Sequence, residues 1–456
     1  MKALLPVFLF VSGLCCAQSL SSQAAALLAP TVGEAVEDVS FNFGAMSLSA
    51  SQPVRHLLVD GKPAGLVFGN TRFNFQVTDP TSKFIANRNI KSMLNADSTA
   101  VMTRGVLWCE DGLVPAPQTN LAGESISWLE KVFEDAQFEL PINSILQSRL
   151  AGTPGTVYAI FMVDNPTFTR YYIYKRDPLE SRTEELGILD RVSGNSNVQE
   201  LRTSLLYYEL ASQPINRQWW QTFTGQTIAI HEDIKVDNPQ GDLVNISTTT
   251  TLLVNQDNTR LWRANLTSFR FSNRYEARRN QVTSVKVNGQ QAEYTHLNHS
   301  LLVKLDRPYK KGETLTIETK NSGEIAIHPN QDQYWTLGTW AWYPQPKLNG
   351  EIATLDITLR CPKAYKPFAS GDMVSTEESG EFTVLKTHLD KPVQFPVVAA
   401  GKWFAVTEER DGVRCTVASY GMPRKNGSTR LINNFFAAIN YYGQLYGTPY
   451  PFKDMN

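Results

Sequence analysis

From Thr227 onward, polar and apolar positions alternate in short runs, and each run closes on turn chemistry. Thr248 to Val254 is rich in β-branched residues, and Val285 and Val287 lead into Asn288-Gly289, a pair suited to a tight hairpin. Leu315 and Ile317 alternate with polar partners between Thr314 and Glu318. Ala353, Leu355, Ile357 and Leu359 alternate with Thr354, Asp356, Thr358 and Arg360 until Pro362 ends the run. Phe382 to Leu385, Val397 to Val406 and Arg414 to Ser419 continue in the same way. A period of two places one side of each strand inward, so many short strands with turns predict an antiparallel sandwich or saddle-like β-domain over 226–423.

Upstream, 36–213 reads as a mixed, β-rich domain with one or two helices. Phe41-Asn42-Phe43 and Thr71 to Val77 alternate, and Asp60-Gly61 supplies a hairpin turn. A helix is predicted from Ser125 or Ser127, where Ser127 and Glu130 form a capping box and Ile126, Leu129, Phe133 and Ala136 follow at helical spacing. Pro141 is expected to break it. Tyr158 to Met162 and Tyr171 to Tyr174 read as short buried strands, the first closing at Asn165-Pro166. Residues 198–210 are apolar at mixed spacing, and the connector between the domains falls near Pro214 to Gly225.

Beyond Arg424 the period becomes helical. Ser428 is a candidate cap, Leu431, Phe435, Ile439, Tyr442 and Tyr446 form one stripe, Gly447 stops the helix, and Thr448 to Phe452 makes an extended exit. The fold class is therefore mainly β, with a C-terminal helix over 424–456.

The first residues change the picture of where such a chain resides. Lys2 precedes an apolar run from Ala3 to Leu14, and Cys15-Cys16-Ala17 offers small residues for cleavage, so 1–17 reads as a signal peptide and predicts export to a periplasmic or extracellular space. The run is too short to span a bilayer, and no later segment suffices, so no transmembrane segment is expected. Residues 18–35, rich in Ala, Ser, Gln and Leu, read as a short helix or a tether. Cleavage leaves Cys109, Cys361 and Cys415, an odd set that reads as one optional disulfide plus a buried free cysteine, with the pairing open, at no zinc-ligand spacing.

At 456 residues the chain exceeds a single core, and a formal charge of −1 without any Lys/Arg run argues against nucleic acid as a partner. Candidate chemistry is sparse. His231-Glu232, followed by Asp233, Ile234 and Lys235, lacks the second histidine of a His-Glu-x-x-His helix and reads as a surface pair on a strand. His296 and His299 read as a solvated hairpin, and His56, His328 and His388 are isolated. Trp335, Trp340, Trp342 and Tyr343 read as a β-domain corner rather than a sugar platform. No nucleophile elbow or phosphate loop occurs. The sequons at Asn245, Asn265, Asn298 and Asn426 read as chance in a Ser/Thr-rich sheet.

One ordered set of residues carries more. Tyr343-Pro344, a gap, the Ala353 to Leu359 strand, Pro362 and then Ser370-Gly371 resemble the β-domain of zinc aminopeptidases of the membrane alanyl aminopeptidase and leukotriene hydrolase type. Gly401-Lys402-Trp403-Phe404 resembles that family's Val-Gly-x-Phe segment. The helix ending Tyr446-Gly447-Thr448-Pro449-Tyr450-Pro451 resembles the start of its thermolysin-like catalytic domain. The resemblance implies a front portion that shapes a peptide cleft, with 424–456 opening a truncated catalytic domain and the zinc motif lying downstream of Asn456. It implies zinc in the full-length parent, a peptide substrate engaged through that missing domain, and no catalytic, cofactor-binding or metal-binding residue in this chain, which is then inactive alone. The amide nearest the family's amine-binding position is Gln331 or Gln333, and neither matches the motif. The competing expectation is a secreted, non-catalytic β-sandwich that binds a partner.

Overall fold

The computed structural model describes residues 19–455 except 37–39, 44–45, 51–53, 76–98, 110–122, 135–140, 152–154, 166–167, 178–183, 193–205, 210–225, 268–279, 298–299, 327, 329–333, 339–340, 347–351, 395 and 421–424. The expected signal peptide, Ala136, Pro166, the connector at 214–225, Asn298, His299, Gln331, Gln333 and Trp340 lie outside the described residues.

The leading half is built on a nine-stranded sheet. Its order is Leu206–Glu209, Glu184–Val192, Phe168–Arg176, Val157–Asn165, Arg104–Cys109, Lys62–Phe68, Val54–Val59, Thr31–Val36 and Glu124–Ser125. Val157–Asn165 and Phe168–Arg176 pair residue for residue, which buries Tyr158, Ile160 and Met162 on one face. Asp60 and Gly61 take positive φ (51° and 72°), as the two central residues of a tight hairpin must.

Among the described residues, three helices cover this sheet. Leu20–Leu28 is capped by Ser19, whose hydroxyl accepts the Ser22 N–H at 3.1 Å, and it buries Leu20, Ala24 and Leu27. The segment is thus a packed helix, and the strand Thr31–Val36 that follows joins the sheet. Ser127–Glu134 is the predicted helix. Pro141 does not end it. Pro141 opens a further helix, Pro141–Ala151, because the first turn of a helix has no use for the N–H that proline lacks. Leu261 and Leu302 of the second half complete the same core, so the two halves share apolar surface.

The second half holds an eight-stranded sheet in the order Gln290–Gln291, Gln281–Val287, Thr314–Glu324, Leu243–Val254, Thr227–Gln240, Ala353–Pro362, Phe382–Val393 and Asp372–Ser379. Its pairs are antiparallel except for Thr227–Gln240 beside Ala353–Pro362, which run parallel. One face is covered twice. A four-stranded sheet (Tyr294–Leu297, Ser300–Tyr309, Thr259–Asn265, Gln345–Pro346) packs Trp262, Leu301 and Val303 against Leu252, Val285 and Ile317. A three-stranded sheet (Tyr334–Leu337, Val398–Gly401, Lys366–Ala369) packs Trp335, Leu337 and Val398 against Ile234, Val236, Ile357 and Leu359. Each fully buried Leu or Ile contributes roughly 1.5–3 kcal/mol, and a one-residue slip would turn that row to solvent.

The opposite face of the sheet is polar and carries Asp233, Thr249, Asp356, Lys386 and His388. Gly371, from the motif singled out in the sequence, takes φ 112° between two strands, and a Cβ there would meet the His388 carbonyl at 3.0 Å.

A hairpin, Phe404–Arg410 and Val413–Ser419, closes the fold with the helix Lys425–Tyr446, which buries Ser428, Ile432 and Phe436 against it. Ser428 is therefore an inward residue of the first turn and not a cap. Gly447 ends the helix at φ 68°. The chain then doubles back, and Asp454–Met455 pairs in parallel with Arg414 and Cys415. Cys109, Cys361 and Cys415 are all buried and none forms a disulfide, so the optional bridge is not made. Cys361 lies in the core beneath the three-stranded sheet and Cys415 under the C-terminal helix.

Candidate functional site

Along Thr227–Gln240 the register shifts between Ala229 and His231, leaving Ile230 as an extra residue. A bulge of this kind reverses the phase of all that follows. Ile230 is consequently left 41% exposed, and Glu232 turns inward beside Ile234 and Val236. The sequence reading of His231-Glu232 as a surface pair is thus half corrected: His231 faces out and Glu232 lies in the core.

Glu232 meets Tyr343 there. The phenolic O–H donates to Glu232 Oε2 at 2.8 Å, while Oε1 has no hydrogen-bond partner among the described residues. Burial pushes the carboxyl up to about 7, and the Tyr343 hydrogen bond pulls the other way. Burial, then the neighbouring carboxylate, holds the Tyr343 hydroxyl well above its ordinary value. The turn holding Tyr343 is fixed by a buried amide pair: Asn321 Nδ2 donates to Asn280 Oδ1 at 2.8 Å, and both side chains donate to the Trp342 carbonyl at 3.3 Å. A carboxyl poised near neutrality is suited to proton transfer. At 2% and 1% exposure, however, Glu232 and Tyr343 are out of reach of a substrate, and the pair acts on the stability of the seam between sheets.

On the outer face, the register sets Thr354 opposite His231 and His388 opposite Asp356. His231 Nδ1 bonds Thr354 Oγ1 at 2.9 Å and its Nε2 lies 3.4 Å from Asp356 Oδ2, while His388 Nδ1 lies 2.7 Å from Asp356 Oδ1. Zinc held by two imidazoles and a carboxylate needs all three on one centre. Here the imidazoles take separate oxygens of one carboxylate in a chain across three strands. Among the described residues no group of three or more His, Cys, Asp or Glu is arranged to hold a metal ion, so the zinc implied by the resemblance finds no ligand set in them.

The other described histidines, His56, His296 and His328, lie within the fold. His296 is not a solvated loop residue: it sits in the strand Tyr294–Leu297 with Nε2 bonded to the Leu266 carbonyl at 2.9 Å, and burial lowers its pKa against that bond. His56 is buried, which lowers its pKa in spite of Glu34. His328 Nε2 lies 2.8 Å from Asp242. Trp335 and Trp342 are buried in the core beside Tyr343, as a packed corner requires.

The open concavity of the second half is a cleft of about 610 Å³ between the three-stranded sheet, the closing hairpin, the C-terminal helix and the returning terminal segment. Phe368, Trp403, Phe435 and Phe452 line it, with the Cys415 thiol on its wall. Sequence reasoning missed it because its walls come from separate elements spread over 368–455, Leu389 and Val393 of the eight-stranded sheet among them. The only local signal was the run of aromatic residues in the closing segments.

No protein-family model matches the sequence, and no curated protein gives a significant match. The similar solved structures are M1 zinc metallopeptidases, at low identity and partial coverage. The M1 zinc metallopeptidase from Deinococcus radiodurans is 17% identical over 44% of this chain and 50% of that one, with a TM-score of 0.37. A mutant of it bound to a Tyr-Ser-Ala substrate is 17% identical over 50% of this chain and 55% of that one, with a TM-score of 0.41. The chain spans about half the length of the structures it matches. A likeness this distant assigns no activity. Among the described residues no helix is long and apolar enough to cross a membrane.

Proposed function

We propose that this chain is the front, non-catalytic portion of an exported zinc metallopeptidase of the aminopeptidase kind, whose zinc-binding motif is encoded after Asn456. In this reading the β-domain walls the cleft that receives a peptide. The ordered motif from Tyr343 to Gly371 and the Gly401 to Phe404 segment support it, together with the helix and Tyr-Pro exit that follow.

The observation that carries the reading is the two-sided C-terminal helix. Ile432 and Phe436 pack on the hairpin, while Tyr441, Tyr442, Leu445 and Tyr446 are 62%, 52%, 58% and 70% exposed. Tyr442 and Tyr446 stack on one another with ring centroids 6.0 Å apart. A contiguous apolar face of this sort marks an interface, and a following catalytic domain is its occupant in this account. The competing reading, a secreted binding module, draws on the packed half of the helix and requires the aromatic half to be covered by an unrelated partner. Expression of the reading frame continued beyond Asn456 tests the proposal through zinc content and release of amino-terminal residues from peptides.

A further inference from the structure

The cleft beside the C-terminal helix has a chemistry of its own. Its polar atoms are already engaged. The Ser370 hydroxyl accepts the Val397 N–H at 2.8 Å, the Thr416 and Thr407 hydroxyls pair at 3.0 Å, and Trp403 Nε1 donates to the Lys366 carbonyl at 3.0 Å. The Asp454 carboxylate accepts Arg414 Nε and Nη2 at 2.6 and 2.8 Å and the Met373 N–H at 2.9 Å. Burial pushes the Cys415 thiol up, which keeps it uncharged. A charged group entering would therefore lose its hydration and find no free counter-ion.

The mouth is apolar as well, since Val397, Leu431 and Met455 line the cleft and are 43%, 55% and 42% exposed. A volume of about 610 Å³ falls within the range typical of small-molecule sites. A lining whose polar groups are already paired suits a ligand that stays apolar along the cleft and carries its polar end in solvent. We infer that the cleft takes the hydrocarbon chain of a small uncharged amphiphile, with its head at the mouth. The inference does not rest on the peptidase reading, because it is argued from the lining residues alone.

Isothermal titration of the chain with n-decanol, and in parallel with n-decanoate, tests the inference. The expected result is saturable one-to-one binding of decanol and at least tenfold weaker binding of decanoate. Ala399→Trp, which fills the cleft from a half-buried position on its wall, should weaken decanol at least tenfold with an unchanged circular dichroism spectrum. Leu431→Glu, at an exposed helix position, should weaken it several-fold, and this variant decides the matter if Ala399→Trp does not fold. Absence of saturable heat with decanol, equal affinity for decanoate, or decanol binding unaltered by the folded variants would overturn it.

Discussion

Tyr343 donates its phenolic hydrogen to Glu232 Oε2 at 2.8 Å inside the seam between the eight-stranded and three-stranded sheets, joining residues 111 positions apart. One bulge residue, Ile230, produces this pairing by turning a carboxylate into the core and an isoleucine out of it.

The pair makes stability depend on pH. Glu232 has a folded pKa of about 7 against an ordinary value of 4.5, so between these limits the folded chain binds more protons than the unfolded one. Stability from this group is full below about 4.5, falls as pH rises and is lost above about 7, a change on the order of 3 kcal/mol. Urea unfolding at intervals from pH 4 to pH 8 should show the decline, and Glu232→Gln should flatten it and stabilise the protein at pH 8. An identical profile in the variant would count against the buried, perturbed carboxyl.

Tyr343→Phe removes the one donor to that carboxyl among the described residues. The expected cost is about 1–3 kcal/mol at pH 8, where the carboxylate is charged, and less at pH 5. The double variant with Glu232→Gln should recover most of the loss, which a thermodynamic cycle reads directly.

The returning terminal segment is fastened by Arg414 and Asp372. Asp454 binds Arg414 through two N–H groups, and Asp372 Oδ1 accepts the Lys453 and Asp454 N–H groups at 2.9 and 3.1 Å. With the Asp454 side chain only 7% exposed, Arg414→Ala leaves a nearly buried carboxylate without its cation, at a cost of about 1–3 kcal/mol. Hydrogen exchange at Lys453 and Asp454 should accelerate while the nine-stranded sheet of the leading half stays protected.

Much of the architecture was legible. Asp60-Gly61 and Asn288-Gly289 turn where dipeptide chemistry demands, with Asn288 and Gly289 at φ 49° and 80°, and Ala353–Pro362 buries the alternate residues its pattern marks. What escaped was set by contacts distant in sequence. A bulge at Ile230 leaves no local signature, so Glu232 read as exposed. Pro141 reads as a stop, yet it stands at the first position of the helix Pro141–Ala151. In the C-terminal helix the hairpin contacts Ile432 and Phe436, one residue along from the Leu431 and Phe435 stripe. Solvent is what that expected stripe partly faces, and only tertiary packing could say so.

The exposed tyrosines of that helix should matter little to the stability of this chain. Replacing Tyr442 and Tyr446 with serine should shift stability by no more than about 0.5 kcal/mol, as surface changes do, and should reduce concentration-dependent self-association in sedimentation runs. A large loss of stability would mean the face is already used within the chain.

The peptidase account is tested most directly by the zinc content of the protein translated from the reading frame continued past Asn456. One zinc per chain, held by a downstream His-Glu-x-x-His helix and accompanied by removal of amino-terminal residues from peptides, is the predicted result. A frame that stops at Asn456, or a longer product that binds no zinc, would contradict it.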